Sequence, residues 1–418
     1  MHIEDVLLAP GHGAFFYDDQ AAIRSGVETD GFRYIGSPLT PGFPAVRIPA
    51  ETLGIGLVLS NKSIAWGDMM GVQYAGAAGR DPLFRSREAA ELVRRVLFPR
   101  LQNIDVLSFR SSCAEVLAPS DGYRLPAAIE YGVSQAMLNA AAEAGRCTPA
   151  EVICAEFGLP IPKAVVPIYA QSGDAREINV DKMILRGVDV LPHGLINSRA
   201  KFGADGQAFR DFVRWVGQRI RTIGVPGYNP ILHFDVYGWI GLEIGLDPSH
   251  IAGFIASIAD EVPGFLLHIE CPADFGSLTA QVDGYGSIVE AMRRLGTTAK
   301  IVVDERCNTL SDIKAFARAR AADLVQIKMP DVGSIADIVS AVLVCKENGI
   351  GAYLGGSCVE TDLSAKLSVH VAVATQADMM LAKPGMGVDE AVSIVGNEQS
   401  RLFAALARQS LINRADHE

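Results

Sequence analysis

The sequence lacks features that several common protein classes require. Its seven cysteines are scattered over 418 residues without a CxxC pair, which is typical of reduced thiols. Acidic residues outnumber basic ones by 48 to 37, and a net charge of −11 argues against a nucleic-acid partner. No apolar run reaches the roughly 18 residues of a membrane span, and the acidic N-terminus does not resemble a signal peptide. GxGxxG after a strand and Walker motifs are also missing. We therefore expect a globular cytoplasmic protein without membrane or nucleic-acid partners.

Short apolar runs alternate with helical stretches from about residue 163 onward. One such stretch, residues 207–224, repeats its apolar residues at helical spacing. The apolar runs are rich in residues that favour strands. They cover residues 164–171, 190–195, 231–238, 265–272, 300–305, 324–330, 351–356 and 378–384. Eight strand–helix units favour a closed (β/α)₈ TIM barrel of the α/β class over an open sheet.

The first 160 residues have a different pattern. Gly- and Pro-rich loops are expected to about residue 50, followed by an apolar strand in GIGLVLS and a Gly-rich loop in GVQYAGAAGRDP. Amphipathic helices make up most of the remainder, and Thr148–Pro149 resembles a helix start. These patterns predict an α+β domain over residues 1–160 and a catalytic barrel over 161–418, joined through the Pro-rich segment 157–167.

Three acidic residues end three successive runs of the predicted barrel: Asp235 in ILHFDVYG, Glu270 in FLLHIECP and Asp304 in KIVVDER. Neighbours in this set are about 35 residues apart, the length of one strand–helix unit, so the carboxylates should meet at one barrel mouth. Oxygen ligands without Cys or His suit Mg²⁺. A magnesium site is therefore predicted, although a single acid at a strand end is more often a cap or an ion-pair partner.

Lys328 follows the next strand, in LVQIKMP, and Gln326 lies on the same face of that strand. Burial and a nearby divalent cation would lower the pKa of Lys328 and make it a base, while the metal stabilises the charge left when a proton beside a carboxylate is removed. His193 ends the second strand, opposite the sixth. The two side chains could flank a substrate, one as base and the other as acid or carboxylate donor, or His193 could simply hydrogen-bond the backbone.

Other polar segments have two interpretations each. Gln73 could reach over the barrel mouth, or its Gly-rich loop could be an ordinary connection. GGSC after the seventh strand offers backbone N–H groups for an anion, or is merely a turn. His233 and His268 each precede a proposed ligand by two residues, and we interpret both as buried groups that support the structure or the ligands.

The acids on strands three, four and five, beneath an N-terminal domain, are similar to those of the enolase superfamily. The strings GDMMGVQYAGAAGRDPLF, VLPHGLIN, HFDVYG, DERCNT, VQIKMPDVG, GGSCVET and LAKPGMGVDE resemble the methylaspartate ammonia-lyase family along nearly the whole chain. The resemblance implies an enolase-like TIM barrel with an N-terminal α+β capping domain. It also implies reversible elimination of ammonia from L-threo-3-methylaspartate, an amino diacid, to give mesaconate. Mg²⁺, a monovalent cation such as K⁺, and a homodimer are implied as well.

The resemblance also implies a role for each matching residue. Asp235, Glu270 and Asp304 would bind Mg²⁺, Lys328 would remove the C3 proton, and His193 would contact the metal-bound carboxylate and act on the other face. The substrate pocket would be completed by Gln73, Gln171, Gln326, Ser357, Cys358 and Leu381.

Two positions depart from the family pattern. Ser357 stands where the family has Thr, and Cys271 stands where a small residue is expected. A missing methyl group is worth only about 1 kcal/mol, enough to shift substrate preference several-fold without changing the reaction. Alternatives are another superfamily lyase, dehydratase or racemase acting on a related amino or hydroxy diacid, and a binding or scaffold protein with an inactive site. The second alternative is disfavoured because neither a ligand nor the base is missing.

Overall fold

The protein's structure, a computed structural model, describes residues 1–102, 104–119, 122 and 124–415. The N-terminal part contains a three-stranded antiparallel sheet in the order β1-β4-β5 and a separate β2-β3 pair. Its strands are β1 (Ile3–Asp18), β2 (Glu28–Asp30), β3 (Arg33–Ile35), β4 (Arg47–Leu59) and β5 (Ile64–Met69). Its helices are α1 (Gln20–Arg24), α2 (Ser86–Leu92), α3 (Phe98–Leu101), α4 (Phe109–Val116), α5 (Ala127–Gly145) and α6 (Pro149–Phe157). A π-helical segment, Val93–Leu97, joins α2 to α3.

The prediction that loops extend to about residue 50 is wrong, because residues Ile3–Asp18 form strand β1. It pairs antiparallel with β4 from Ile3 to Asp18, with a register shift between His12 and Phe16. Pro10 is tolerated because β1 is an edge strand, where a missing N–H group need not break the sheet. Gly13 is needed for close approach, since a Cβ atom there would lie 2.6 Å from the carbonyl oxygen of Val359. Strand β5 was not predicted either.

The second part of the chain is a closed parallel barrel in the order β10-β11-β12-β13-β6-β7-β8-β9. Its strands are β6 (Ile168–Tyr169), β7 (Val190–His193), β8 (Ile231–Asp235), β9 (Leu267–Glu270), β10 (Lys300–Val303), β11 (Leu324–Ile327), β12 (Gly351–Leu354) and β13 (Met379–Leu381). Its helices are α7 (Arg176–Arg186), α8 (Arg199–Phe202), α9 (Gln207–Ile223), α10 (Trp239–Ile244), α11 (Pro248–Ala259), α12 (Leu278–Leu295), α13 (Leu310–Ala319), α14 (Met329–Val332), α15 (Ile335–Glu347), α16 (Asp362–Thr375) and α17 (Val388–Ala415). Each predicted run contains one strand, and the predicted barrel is confirmed.

Local sequence explains where several helices form. The Thr148 hydroxyl accepts a hydrogen bond from the Glu151 N–H, and the Glu151 carboxylate accepts one from the Thr148 N–H, which closes a capping box at the start of α6. Along α9 the apolar side chains recur at helical spacing and are buried, as predicted. They are Phe209, Phe212, Val213, Val216 and Ile220. Within the described ranges, a helix with the length and hydropathy of a membrane span is not found.

Candidate active site

The C-terminal mouth of the barrel brings the predicted residues together. Asp235 and Glu270 are the last residues of β8 and β9, and Asp304 and Lys328 directly follow β10 and β11. His193 ends β7, four strands away from β11 around the barrel, so it lies on the wall opposite Lys328. One cavity at this mouth is lined by residues that include Gln73, Gln171, His193, Asp235, Asp304, Gln326, Lys328, Ser357, Cys358 and Leu381. The predicted strand-end residues therefore share one mouth.

Two of the predicted metal ligands are buried acids with little charge compensation. Glu270 accepts a hydrogen bond from the Gln326 amide at 2.6 Å, and its other oxygen lies 2.7 Å from His233 Nε2. Burial, followed by the Asp304 carboxylate, raises the pKa of Glu270 well above its ordinary value. Burial and the Glu270 carboxylate likewise raise the pKa of Asp235. With Asp304, these acids form a set of hard oxygen ligands that fits a divalent cation, because such a cation would offset both their burial and their repulsion.

The third acid, Asp304, is held between two cations. Lys328 Nζ donates to its Oδ2 at 2.7 Å, and the Arg80 guanidinium lies 3.2 Å from the same oxygen. Burial alone would raise the pKa of Asp304, but Lys328 and Arg80 lower it below the ordinary value. Arg80 also donates to Asp331 at 2.9 Å. The sequence interpretation missed both Arg80 and Asp331, although each lies in a string quoted above, GVQYAGAAGRDP and VQIKMPDVG.

The same contacts determine the charge of Lys328. Burial and the Arg80 guanidinium act to lower the pKa of the Lys328 ammonium, whereas the carboxylates of Asp304, Asp331 and Glu305 act to raise it. The carboxylates prevail, and the pKa of Lys328 is raised above its ordinary value. The protein groups alone therefore do not give Lys328 the lowered pKa that the sequence prediction expected for a catalytic base.

His193 is oriented by the backbone around it. Its Nδ1 accepts a hydrogen bond from the Leu195 N–H at 3.3 Å, which leaves the proton of the neutral ring on Nε2. Nε2 lies 3.6 Å from Asp235 Oδ2, at the edge of the acidic set. Burial, followed by the nearby His233 and Lys328, lowers the pKa of His193 to about 3. A neutral His193 can donate a hydrogen bond from Nε2 to a carboxylate. It fits that role better than the role of a positively charged general acid.

The Gln73 loop covers the mouth from the N-terminal part of the chain. The Gln73 N–H donates to the Ser357 hydroxyl at 3.0 Å, and the Cys358 thiol lies 3.2 Å from the Gln73 side-chain oxygen. Gln73 Nε2 donates to Asp18, which also forms a bidentate pair with Arg47 at 2.7 Å. The interpretation of this loop as an ordinary connection is therefore wrong, because the loop closes the cavity.

The GGSC segment is more constrained than an open anion-binding turn. The Ser357 N–H donates to Glu360 Oε2 at 2.8 Å, so that N–H group is not available to a substrate. Glu360 is also paired with Lys383 at 2.9 Å and accepts a hydrogen bond from Tyr131 at 2.7 Å, and all three are buried. The side chains of Ser357 and Cys358 still line the cavity.

A second group of candidate ligands overlaps the predicted one. Among the residues that the structure describes, ligand atoms of Cys271, Asp304 and Glu305 lie within 4.8 Å of one another. The Cys271 thiol donates to Glu305 at 2.6 Å, and burial followed by the Glu305 carboxylate raises the pKa of that thiol well above its ordinary value. A protonated thiol is a poor ligand for a hard cation. The group that meets this distance therefore lacks Asp235 and Glu270, and its thiol makes it a poor fit for a hard cation.

Known proteins resemble this chain over nearly its whole length. Family models of the methylaspartate ammonia-lyase N-terminus and C-terminus match residues 1–158 and 160–408. Methylaspartate ammonia-lyase 1 of Carboxydothermus hydrogenoformans is 47% identical over 413 residues, covering 98% of both chains.

Solved structures agree with these matches. A crystal structure of Citrobacter amalonaticus methylaspartate ammonia lyase containing (2S,3S)-3-methylaspartic acid has a TM-score of 0.95 and 45% identity over 97% of this chain and 100% of that one. A magnesium complex of β-methylaspartase from Clostridium tetanomorphum has a TM-score of 0.91 and 42% identity over 98% and 100% of the two chains. Muconate lactonizing enzyme from Pseudomonas fluorescens, at 15% identity and a TM-score of 0.60, shares the fold alone. The chain belongs to the methylaspartate ammonia-lyase family.

Proposed function

We propose that this protein is a carbon–nitrogen lyase that eliminates ammonia reversibly from L-threo-3-methylaspartate to give mesaconate. The observation that carries the proposal is the pair of Lys328 and His193 on opposite walls of one acidic barrel mouth. Elimination at a tetrahedral carbon beside a carboxylate needs a base on one face and polar support on the other. The relatives named above, which include a methylaspartate ammonia lyase crystallised with 3-methylaspartic acid, support this substrate.

Mg²⁺ is the proposed cation, held by Asp235, Glu270 and Asp304. The donor set, with burial raising the pKa of two of its members, and the magnesium complex of the Clostridium relative support this choice. When bound, the cation supplies positive charge that stabilises a substrate carboxylate as its negative charge grows. An activating monovalent cation such as K⁺ is proposed on the family resemblance alone, and replacing K⁺ by tetramethylammonium in the assay would test it.

Lys328 is proposed to remove the C3 proton. The Asp304 carboxylate, 2.7 Å away, opposes the loss of the Lys328 proton. Once Asp304 shares its charge with a cation, burial and the Arg80 guanidinium favour the neutral amine. His193, oriented by the Leu195 N–H, would donate from Nε2 to the substrate carboxylate on the other face.

The pocket around these groups is proposed to hold the rest of the substrate. Gln73 and Gln171 would bind its amino group and distal carboxylate, and Leu381 would contact its methyl group. The Gln171 amide donates to the Gly385 carbonyl at 2.9 Å, which fixes the side chain beside the cavity. Gln326 would orient Glu270 through their 2.6 Å hydrogen bond.

Ultraviolet absorbance of mesaconate gives a direct assay with Mg²⁺ and K⁺ present. We expect Lys328→Ala to lose turnover by on the order of 10²–10⁴-fold, the usual contribution of a positioned base, while circular dichroism stays unchanged. Lys366→Ala is the matched control, because Lys366 is paired with Asp362 on the surface of α16 and should keep full turnover. Full turnover by the Lys328 variant would refute the mechanism.

Substrate preference is proposed to depend on Ser357. Its hydroxyl accepts the Gln73 N–H at 3.0 Å, so a wider side chain there acts directly on the covering loop. We expect Ser357→Thr to change the ratio of kcat/KM for 3-methylaspartate and 3-ethylaspartate several-fold, since one methyl group is worth about 1 kcal/mol. An unchanged ratio would contradict a role of Ser357 in substrate preference, and Cys271 would be the next residue to test.

We also propose a homodimer in the cytoplasm, with domains of residues 1–160 and 161–418. Free thiols at all seven cysteines fit a reducing compartment. The dimer rests on the family resemblance, and light scattering of the purified protein would test it. Residues 416–418 of the second domain lie outside the described ranges.

A further inference from the structure

The opposite, N-terminal end of the barrel contains a second cavity. It has a volume of about 480 Å³ and is lined by residues at the starts of strands. Ile231, Lys300, Leu324 and Gly351 are the first residues of β8, β10, β11 and β12. The proposed catalytic groups lie at the other ends of these strands, so this cavity is not part of the active site.

His268 lies at the inner end of this cavity without a hydrogen-bond partner. It is in β9 on the same face as Glu270, and only 3% of it is exposed. Among the described residues neither of its ring nitrogens has a hydrogen-bond partner. Buried polar atoms are nearly always paired with protein, water or a ligand. An imidazole with both nitrogens unpaired can therefore hydrogen-bond a polar ligand that enters the cavity.

Three cations surround the entrance: Arg293, Lys300 and Arg320. None of them lies within 4 Å of a carboxylate oxygen in the described part of the chain. By contrast, Arg294, the next residue on α12, pairs with Glu290 at 2.8 Å. Lys300 and Arg293 act electrostatically on the Asp323 carboxylate of the same cavity, while Arg293 and Arg320 are exposed to solvent at its entrance.

Two acids also line the cavity, and both are engaged with the backbone. The Asp323 carboxylate accepts the Ile301 N–H at 2.9 Å, and the Asp378 carboxylate accepts the Ala352 N–H at 2.7 Å. They act as caps for the starts of β10 and β12. The lining therefore keeps an excess of one positive charge, with donors that remain available to a ligand.

We propose that this cavity binds a small oxyanion, carrying carboxylate or phosphate groups, between His268 and the cations Arg293, Lys300 and Arg320. A layer of packed rings separates it from the proposed active site: Tyr169 stacks on His233 at 4.4 Å between centroids, and His233 contacts Tyr353 at 5.7 Å. The bound anion does not touch the reacting atoms. The proposal is thus independent of the proposed function.

Isothermal titration calorimetry at constant ionic strength tests the site, with inorganic phosphate and malonate as separate probes. We expect one saturable site, and about fivefold weaker binding in Arg293→Gln, Lys300→Gln or Arg320→Gln, the usual effect of removing one partly exposed charge. Arg294→Gln removes the same charge from the same helix without lining the cavity, and should bind like the wild type. Stronger binding of phosphate than of malonate would indicate a phosphorylated ligand, and the reverse a carboxylate.

Lys328→Ala separates this cavity from the active site. Its affinity for the preferred probe should equal that of the wild type, because Lys328 lies at the other end of the barrel. The proposal is overturned if neither probe binds saturably at millimolar concentration. It is equally overturned if binding is lost in Lys328→Ala and kept in the three cavity variants.

Discussion

Arg80→Met should destabilise the protein because it removes the cation shared by two buried acids. Only 1% of the Arg80 side chain is exposed, and it lies 3.2 Å from Asp304 and 2.9 Å from Asp331. These carboxylates are themselves only 7% and 6% exposed. Asp304 keeps Lys328 as a partner at 2.7 Å, whereas Asp331 loses the ion pair to Arg80. The main cost therefore falls on Asp331.

Removing one partner of a buried ion pair costs about 3–5 kcal/mol, and the retained Lys328 contact places this case near about 3 kcal/mol. Burial already raises the pKa of Asp331, and Arg80 and Lys328 oppose that rise. Without Arg80 the folded-state pKa should rise further above the unfolded value. The folded variant then binds a proton more readily than the unfolded chain, so its stability deficit should shrink as pH falls through the folded pKa of Asp331 towards the unfolded value.

Urea unfolding followed by circular dichroism at pH 8 and pH 5.5 measures this deficit. Arg80→Met/Asp331→Asn is the control, since it removes the stranded charge together with its partner and should recover most of the lost stability. A deficit below about 1 kcal/mol in the single variant, or a double variant no more stable than the single one, would refute the reasoning.

Three other predictions concern pH, a helix cap and the metal. Burial lowers the pKa of His193 to about 3, so between that pH and about 6.5 the unfolded chain binds more protons, and stability should fall with falling pH by up to about 1.4 kcal/mol per unit. His193→Gln should flatten this slope in urea titrations, and an equal slope would contradict the neutral buried state. Thr148→Ala should cost about 1 kcal/mol through loss of the α6 capping box, whereas Thr222→Ala, which removes a hydrogen bond to a helix carbonyl on the exposed side of α9, should cost less in the same titration. Mg²⁺ should raise the melting temperature of the wild type and not that of Asp235→Asn; an equal rise in both would exclude Asp235 as a ligand.

The barrel could be predicted because its signal is local and repeated. Each strand is a short apolar run, and each is followed by an amphipathic helix. The runs exceed the strands, as residues 164–171 do for β6, because apolar residues continue into the segments on either side of the strand. Strand β1 could not be predicted, since Pro10, Gly11 and Gly13 are unfavourable in an isolated strand. It forms through pairing with β4, which local sequence does not reveal.

The difference between local and long-range signals also explains which site residues could be predicted from the sequence. Asp235, Glu270, Asp304 and Lys328 lie at successive strand ends, so barrel geometry alone brings them together. Arg80 reaches Asp304 from a loop of the N-terminal part, 224 residues away in sequence. The position of Arg80 depends on how that loop packs over the mouth. The regular spacing of strands along the sequence does not predict such packing.

The loop that carries Gln73 and Arg80 contributes both to the stability of the protein and to its proposed active site. The barrel mouth by itself gathers Asp235, Glu270 and Asp304, whose burial opposes their charged state. Lys328 supplies one compensating charge from the barrel, and Arg80 supplies the other from the N-terminal part. Because the same loop also places Gln73 over the cavity, changes in this loop should reduce stability and turnover together. Lys328→Ala, by contrast, should reduce turnover while Arg80 still holds Asp304 and Asp331.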